Sequence, residues 1–177
     1  MSEVLYSANE LEKVVADLAK AIAADFSGRQ LLLLGLLKGC QPFLADLSRQ
    51  LSYYQMDLAV DYLQVSSYIG TASCGRVTIK PVTVDESFCR QRHVLVVDDI
   101  FDTGLTLKEV MVWLKEKGAA SVKSCVLLRK SGCSDEVLTP DYWGAIIPDA
   151  FVVGYGLDYN EQYRELPYIK ILGVDEQ

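Results

Sequence analysis

What this chain can fold into is constrained most by a short apolar run that ends on carboxylates. Val94-Leu95-Val96-Val97 is fully apolar and rich in β-branched residues, the composition of a strand buried on both faces of a parallel sheet. The run stops at charge. Asp98, Asp99 and Asp102 follow, and Thr103-Gly104-Leu105-Thr106 then opens a helix whose apolar residues Leu107, Val110, Met111 and Leu114 recur at helical spacing. In an open α/β sheet, ligands bind outside the carboxyl ends of the strands, and the free N–H groups of a helix N-terminus favour phosphate. Thr103, Gly104, Leu105 and Thr106 are therefore placed to wrap one phosphate with backbone and hydroxyl donors. Two adjacent carboxylates beside a phosphate would repel it unless they bind ligand hydroxyls or a hard cation bridging to the ligand. A phosphorylated sugar with free hydroxyls fits both halves.

One earlier stretch repeats this strand–loop–helix unit, behind an N-terminal helix. Ser7-Ala-Asn-Glu10 has the form of a capping box, and Leu11, Val14, Val15, Leu18, Ala19 and Ile22 follow on one helical face. That helix is expected to end near Ser27-Gly28. Leu31 to Leu37 reads as a buried strand, broken by Lys38-Gly39-Cys40-Gln41-Pro42 before a second amphipathic helix through Phe43, Leu44, Leu47 and Leu51. Taken alone, Lys38-Gly39 is a plain turn with a solvated lysine. Residues 56 to 65 and 77 to 84 are rich in strand formers, and the small, polar loop Ser66 to Arg76 between them suits a lid better than a tight hairpin. Val122 to Leu128 is a further buried strand ending on Arg129-Lys130. Residues 143 to 156 read as two short strands around a turn at Pro148-Asp149.

Composition removes several function classes. At 177 residues, half of them apolar and 23% charged, the chain is ordinary globular material expected to form one domain over 1–177. A net charge of −7 argues against a nucleic-acid surface, which needs clustered Lys and Arg. A polyphosphate ligand must then be drawn in by local cations. The five cysteines (Cys40, Cys74, Cys89, Cys125, Cys133) include no C-x-x-C pair, so neither a disulfide framework nor a zinc site is indicated, and a reducing cytoplasm is expected. No segment approaches a membrane span in length, and the early Glu3, Glu10 and Glu12 are unlike a signal peptide.

The stretch Val94 to Leu107 resembles the phosphoribosyl-pyrophosphate signature of the type I phosphoribosyltransferases, two acidic residues followed by Asp-Thr-Gly-x-Thr. Leu37-Lys38-Gly39-Cys40 is similar to the Leu-Lys-Gly-Gly loop of the purine members, with the second glycine replaced, and Leu105 stands where some relatives carry lysine. Pro148-Asp-x-Phe151-Val152-Val-Gly-Tyr-Gly-Leu-Asp158-Tyr159, continued by Asn-Glu-Gln-Tyr-Arg164, closely resembles the base-binding segment of hypoxanthine-guanine phosphoribosyltransferases. With Ser67-Tyr68, which matches the Ser-Tyr pair of the family's flexible loop, four motifs fall in order between about Leu31 and Leu172.

What the resemblance implies is an α/β single domain with a mainly parallel twisted sheet flanked by helices, and a small hood built by the N-terminal helix and the C-terminal segment. It implies a magnesium-dependent purine-salvage enzyme converting hypoxanthine or guanine and phosphoribosyl pyrophosphate to the nucleoside monophosphate and pyrophosphate. Asp98, Asp99, Asp102 and the Thr103–Thr106 loop would bind ribose and its phosphate, with Asp102 the general base. Lys38, Gly39 and Arg164 would bind pyrophosphate. Lys130, Phe151, Val152 and Asp158 would surround the purine, and Asp98, Asp99 and Asp158 would hold Mg²⁺. Ser67 and Tyr68 match the Ser-Tyr pair of the flexible loop that closes over the reacting centre. Dimers or tetramers are the family's habit. Two other readings stay open at this point: a member preferring another base, such as xanthine, and a nucleotide-sensing RNA-binding regulator that keeps the fold.

Overall fold

The computed structural model describes residues 3–67, 77–82, 87–133 and 137–173. After a short strand β1 (Val4–Tyr6), helix α1 (Ala8–Asp25) begins on a complete capping box. The Ser7 amide donates to Glu10 Oε2 at 2.8 Å, and Ser7 Oγ accepts from the Glu10 amide at 3.4 Å. The remaining elements are β2 (Gln30–Leu37), α2 (Gln41–Ser52), β3 (Asp57–Ser67), β4 (Val77–Pro81), β5 (His93–Phe101), α3 (Leu105–Glu116), β6 (Ser121–Lys130), β7 (Tyr142–Ile147), β8 (Val152–Val153) and β9 (Ile169–Ile171).

Six strands form one sheet in the order β4-β3-β2-β5-β6-β7, parallel throughout except for the β3–β4 pair. Alternation along the central strands sends side chains into two cores. Leu31, Leu33, Leu95, Val97 and Leu127 face α1 and α2, whereas Leu32, Leu34, Val94, Val96 and Val126 face Leu107, Val110, Met111 and Leu114 of α3. Helices on both faces explain why these strands are apolar at every position. The chain winds outward from β2 through β3 and β4, then returns to lay β5 against the other side of β2. Between β2 and β5 the winding reverses, and a crevice opens there at the carboxyl ends of the strands.

Three boundaries differ from the sequence expectation. The β5 ladder does not stop at Val97 but pairs Asp98 with Val126, Ile100 with Leu128 and Phe101 with Arg129. The two carboxylates therefore sit on the last rungs of a strand, because backbone pairing to β6 continues past the apolar run. For the same reason β6 runs on through Arg129 and Lys130. The hood is a three-stranded antiparallel sheet, β1-β9-β8. The terminal segments do build it, but the N-terminal helix does not: its apolar stripe Leu11, Val15, Leu18, Ala19 and Ile22 is needed against the main sheet and α2. Strand β1, just before it, pairs with the C-terminal β9 instead.

Candidate functional site

At the crevice between β2 and β5 lies a cleft of about 220 Å³, lined by Lys38, Gly39, Asp98, Asp99, Thr106, Asp158 and Arg164 among others. Larger hollows exist, one of about 650 Å³ bordered by Gln30 and Asp57 at the opposite, amino ends of β2 and β3. Size does not single out the site. Position does, because the loops leaving β2 and β5 flank the point where the sheet changes direction.

The two carboxylates of β5 are held close to the backbone. Asp98 Oδ1 accepts from the Asp99 amide at 3.0 Å, and Asp99 Oδ1 accepts from the Ile100 amide at 2.8 Å. Burial, together with the facing Asp99 charge, pushes Asp98 well above the usual carboxylate range. Burial raises Asp99 as well, opposed by hydrogen bonds from Asp98 and the Ile100 amide and by the charge of Arg164. Such a pair gains from a cation or from hydroxyl donors.

Gly39 makes the arrangement possible. A Cβ on it would lie 1.6 Å from Asp99 Oδ2, so no other residue leaves that carboxylate where it is. The peptide between Leu37 and Lys38 is cis. Cys40, in place of a second glycine, has φ −67° and ψ −11°, an ordinary right-handed conformation that carries a Cβ without cost. The turn does not require positive φ there.

On the other flank, Gly104 takes φ +73° at the start of α3, where a Cβ would also approach the Phe101 ring at 2.8 Å. With no side chain at that cap, no side-chain acceptor from it occupies the helix's leading N–H groups. Leu105 is exposed and Thr106 lines the cleft.

The third side of the site comes from β6 and the segment after β7. Lys130 Nζ, at the end of β6, donates to Asp149 Oδ1 at 3.0 Å and to Asp102 Oδ2 at 3.3 Å. These pairs raise the Lys130 pKa, the Asp149 hydrogen bond most of all. Phe151 is half-exposed and meets Tyr159 edge-on with ring centroids 5.7 Å apart. Val152 is buried in β8, paired with Ile171. Arg164 bonds Asp158 at 2.8 Å and donates to the Gly156 carbonyl at 2.8 Å, while its buried Nε has no hydrogen-bond partner among the described residues. Glu161 spans the cleft mouth, 2.9 Å from Lys38 Nζ and 3.4 Å from Arg164 Nη2.

The structure thus gathers Lys38, Gly39, Asp98, Asp99, Thr106, Asp158 and Arg164 around one cleft, with Asp102 and Lys130 joined beside Asp149. Ser67 is the last residue of β3, and Tyr68 lies outside the described residues. Two acidic partners, Asp149 and Glu161, were not anticipated. Both lie inside the recognised segment, but only their contacts distinguish them from solvated charges.

No three His, Cys, Asp or Glu side chains among the described residues are grouped to hold a metal by themselves. Asp158 pairs with Arg164 and lines the same cleft as Asp98 and Asp99. This suits Mg²⁺, which keeps several waters and is bound through one or two carboxylates and substrate phosphates rather than by an all-protein cage. The raised proton affinity of the Asp98–Asp99 pair fits a hard cation nearby.

The sequence profile of the phosphoribosyl transferase domain matches residues 1–160. A hypoxanthine-guanine phosphoribosyltransferase of Streptococcus pneumoniae is 43% identical over 174 residues, covering 97% of this chain and 93% of the relative. The bifunctional protein TilS/HprT of Listeria innocua is 40% identical over 173 residues, and the chain spans 26% of that longer protein. Among solved structures, a variant of hypoxanthine phosphoribosyltransferase from Trypanosoma cruzi in a ternary complex with substrates superposes with a TM-score of 0.89. The two are 36% identical, with 98% of this chain and 96% of that one covered.

Proposed function

The chain belongs to the hypoxanthine-guanine phosphoribosyltransferases of the phosphoribosyl transferase domain family, and from that premise we propose that it catalyses purine salvage. Hypoxanthine or guanine and phosphoribosyl pyrophosphate become the nucleoside monophosphate and pyrophosphate. The bond from the anomeric carbon to pyrophosphate breaks, a bond to the purine nitrogen forms, and that nitrogen loses its proton. Positive charge grows on the ribose and negative charge on the leaving group.

Each flank of the cleft then has a task. Thr103, Gly104, Leu105 and Thr106 bind the ribose phosphate, and Asp98 and Asp99 fix the ribose hydroxyls. Lys38, Gly39 and Arg164 take the pyrophosphate, whose charge they are placed to stabilise. Asp102 accepts the purine proton. Phe151 stacks on the base, Val152 offers its backbone, Asp158 lies close to the base, and Lys130 donates to the exocyclic oxygen. Asp98, Asp99 and Asp158 would hold Mg²⁺, which when bound neutralises charge on the leaving phosphates. Ser67 and Tyr68 belong to the lid that excludes water. We further infer one phosphoribosyltransferase domain over 1–177, at work in the cytoplasm as a dimer or tetramer, with neither nucleic acid nor membrane as partner. The net charge of −7 supports the first exclusion. No helix among the described residues is long and apolar enough to cross a membrane.

The observation that carries base choice is Lys130, mostly buried and aimed at Asp102 beside the phosphate loop. An ammonium has three donors and no acceptor, so it satisfies an exocyclic oxygen and not the amino group of adenine. Lys130→Ala should depress kcat/KM for hypoxanthine and guanine far more than for adenine. An unchanged ratio would return Lys130 to a structural ion pair.

A further inference from the structure

Asp149 belongs to the Pro-Asp-x-Phe-Val segment yet has no task in the reaction above. It is nevertheless the nearer of the two carboxylates on Lys130, at 3.0 Å against 3.3 Å for Asp102. The Lys130 side chain is 21% exposed and that of Asp149 78%, so a mostly covered lysine chain meets a carboxylate at the surface. Asp149 sits in the connection from β7 to β8, where the Ala150 amide donates to the Pro148 carbonyl at 2.8 Å. Two residues later the same connection presents Phe151, half-exposed, followed by buried Val152.

We propose that Asp149 is a positioning residue for the purine, setting the ammonium of Lys130 between the general base and the stacking ring. This rests on the assignment of the cleft to a 6-oxopurine. Three physical consequences support it. With two carboxylates on Lys130, one of its three donors is left for a ligand oxygen, and its direction is defined by the other two. Asp149 also draws the ammonium away from Asp102, which leaves lone pairs of Asp102 open to the purine nitrogen rather than locked in an exclusive ion pair. Finally, the pair ties the end of β6 to the turn before Phe151, so the donor that reads the oxygen and the ring that covers the base keep a fixed separation. An ion pair with one exposed partner is worth little to folding by itself. Its effect should therefore show in base recognition and not in stability.

The test is steady-state kinetics with hypoxanthine and phosphoribosyl pyrophosphate on the wild type, Asp149→Asn and Asp149→Glu, with melting temperatures alongside. Asp149→Asn should raise KM for hypoxanthine roughly three- to fivefold, the upper range for such a pair. KM for phosphoribosyl pyrophosphate and the melting temperature should stay put, and Asp149→Glu should recover most of the loss. Unchanged KM for hypoxanthine, equal shifts in both KM values, or a shift that Asp149→Glu does not recover would overturn the proposal. A wild type inactive with hypoxanthine would remove the reading of the cleft and this inference with it, and that arm is read before any variant.

Discussion

Asp102 stands where three residue-level demands meet: it follows Asp98 and Asp99, precedes the Thr103–Thr106 loop, and touches Lys130. Its side chain is 61% exposed, open to a ligand nitrogen, whereas Asp98 and Asp99 are half-buried near the end of β5. If it is the general base, Asp102→Asn should lower turnover by roughly 10²–10⁴-fold, while binding of phosphoribosyl pyrophosphate persists. Near-normal turnover at every pH tested would contradict that role. At this scale the sequence showed residue types and order well. Asp98, Asp99, Asp102 and Thr103 to Thr106 are contiguous, so their proximity follows from one chain segment. It could not show why Gly39 is glycine, because the Asp99 oxygen that a Cβ would strike is some sixty positions away. Nor could it show Glu161 lying between Lys38 and Arg164, a contact made by two loops meeting.

Elements place these residues, and one junction is sensitive to acid. At the end of α1, Asp25 accepts from Tyr142 Oη at 2.5 Å and from Lys123 Nζ at 2.9 Å, joining the helix to β7 and β6. The Tyr142 hydrogen bond and then Lys123 lower the Asp25 pKa. A carboxylate whose folded-state pKa is depressed adds stability above its unfolded value, and that stability is lost as pH falls through the folded value. Asp25→Asn should therefore melt lower than the wild type at pH 7, with the gap narrowing as pH drops below about 4. A gap of constant size from pH 7 to pH 2.5 would show that the junction acts by packing alone. Helices were readable from apolar spacing and the Ser7–Glu10 cap because both signals are local. Strand ends were not, since Asp98 to Phe101 and Arg129-Lys130 are held by ladder partners rather than by their own propensity. The three-residue β1 is too short to carry a periodic signal, so the N-terminal share of the hood was expected from the helix beside it.

For the molecule as a whole, topology sets the reaction site and local charge sets its contents. The reversal between β2 and β5 brings the Lys38-Gly39 turn opposite Asp98 and Asp99. The segment after β7 closes the third side with Lys130's partner Asp149, Phe151, Asp158 and Arg164. On the proposed function, a chain of net charge −7 would draw in a polyphosphate through cations that are paired with acids here, Lys38 with Glu161 and Arg164 with Asp158. The Lys38–Glu161 pair is exposed and exchanges partners at little cost. The most direct measurement is product formation by the wild type with phosphoribosyl pyrophosphate and magnesium, given hypoxanthine, guanine or adenine in separate reactions. Hypoxanthine, guanine or both should yield the monophosphate and pyrophosphate, with kcat/KM for adenine lower by about 10⁴-fold, the discrimination available to a site built around one polar match. Adenine used as well as hypoxanthine, or no product from either 6-oxopurine, would contradict the assignment.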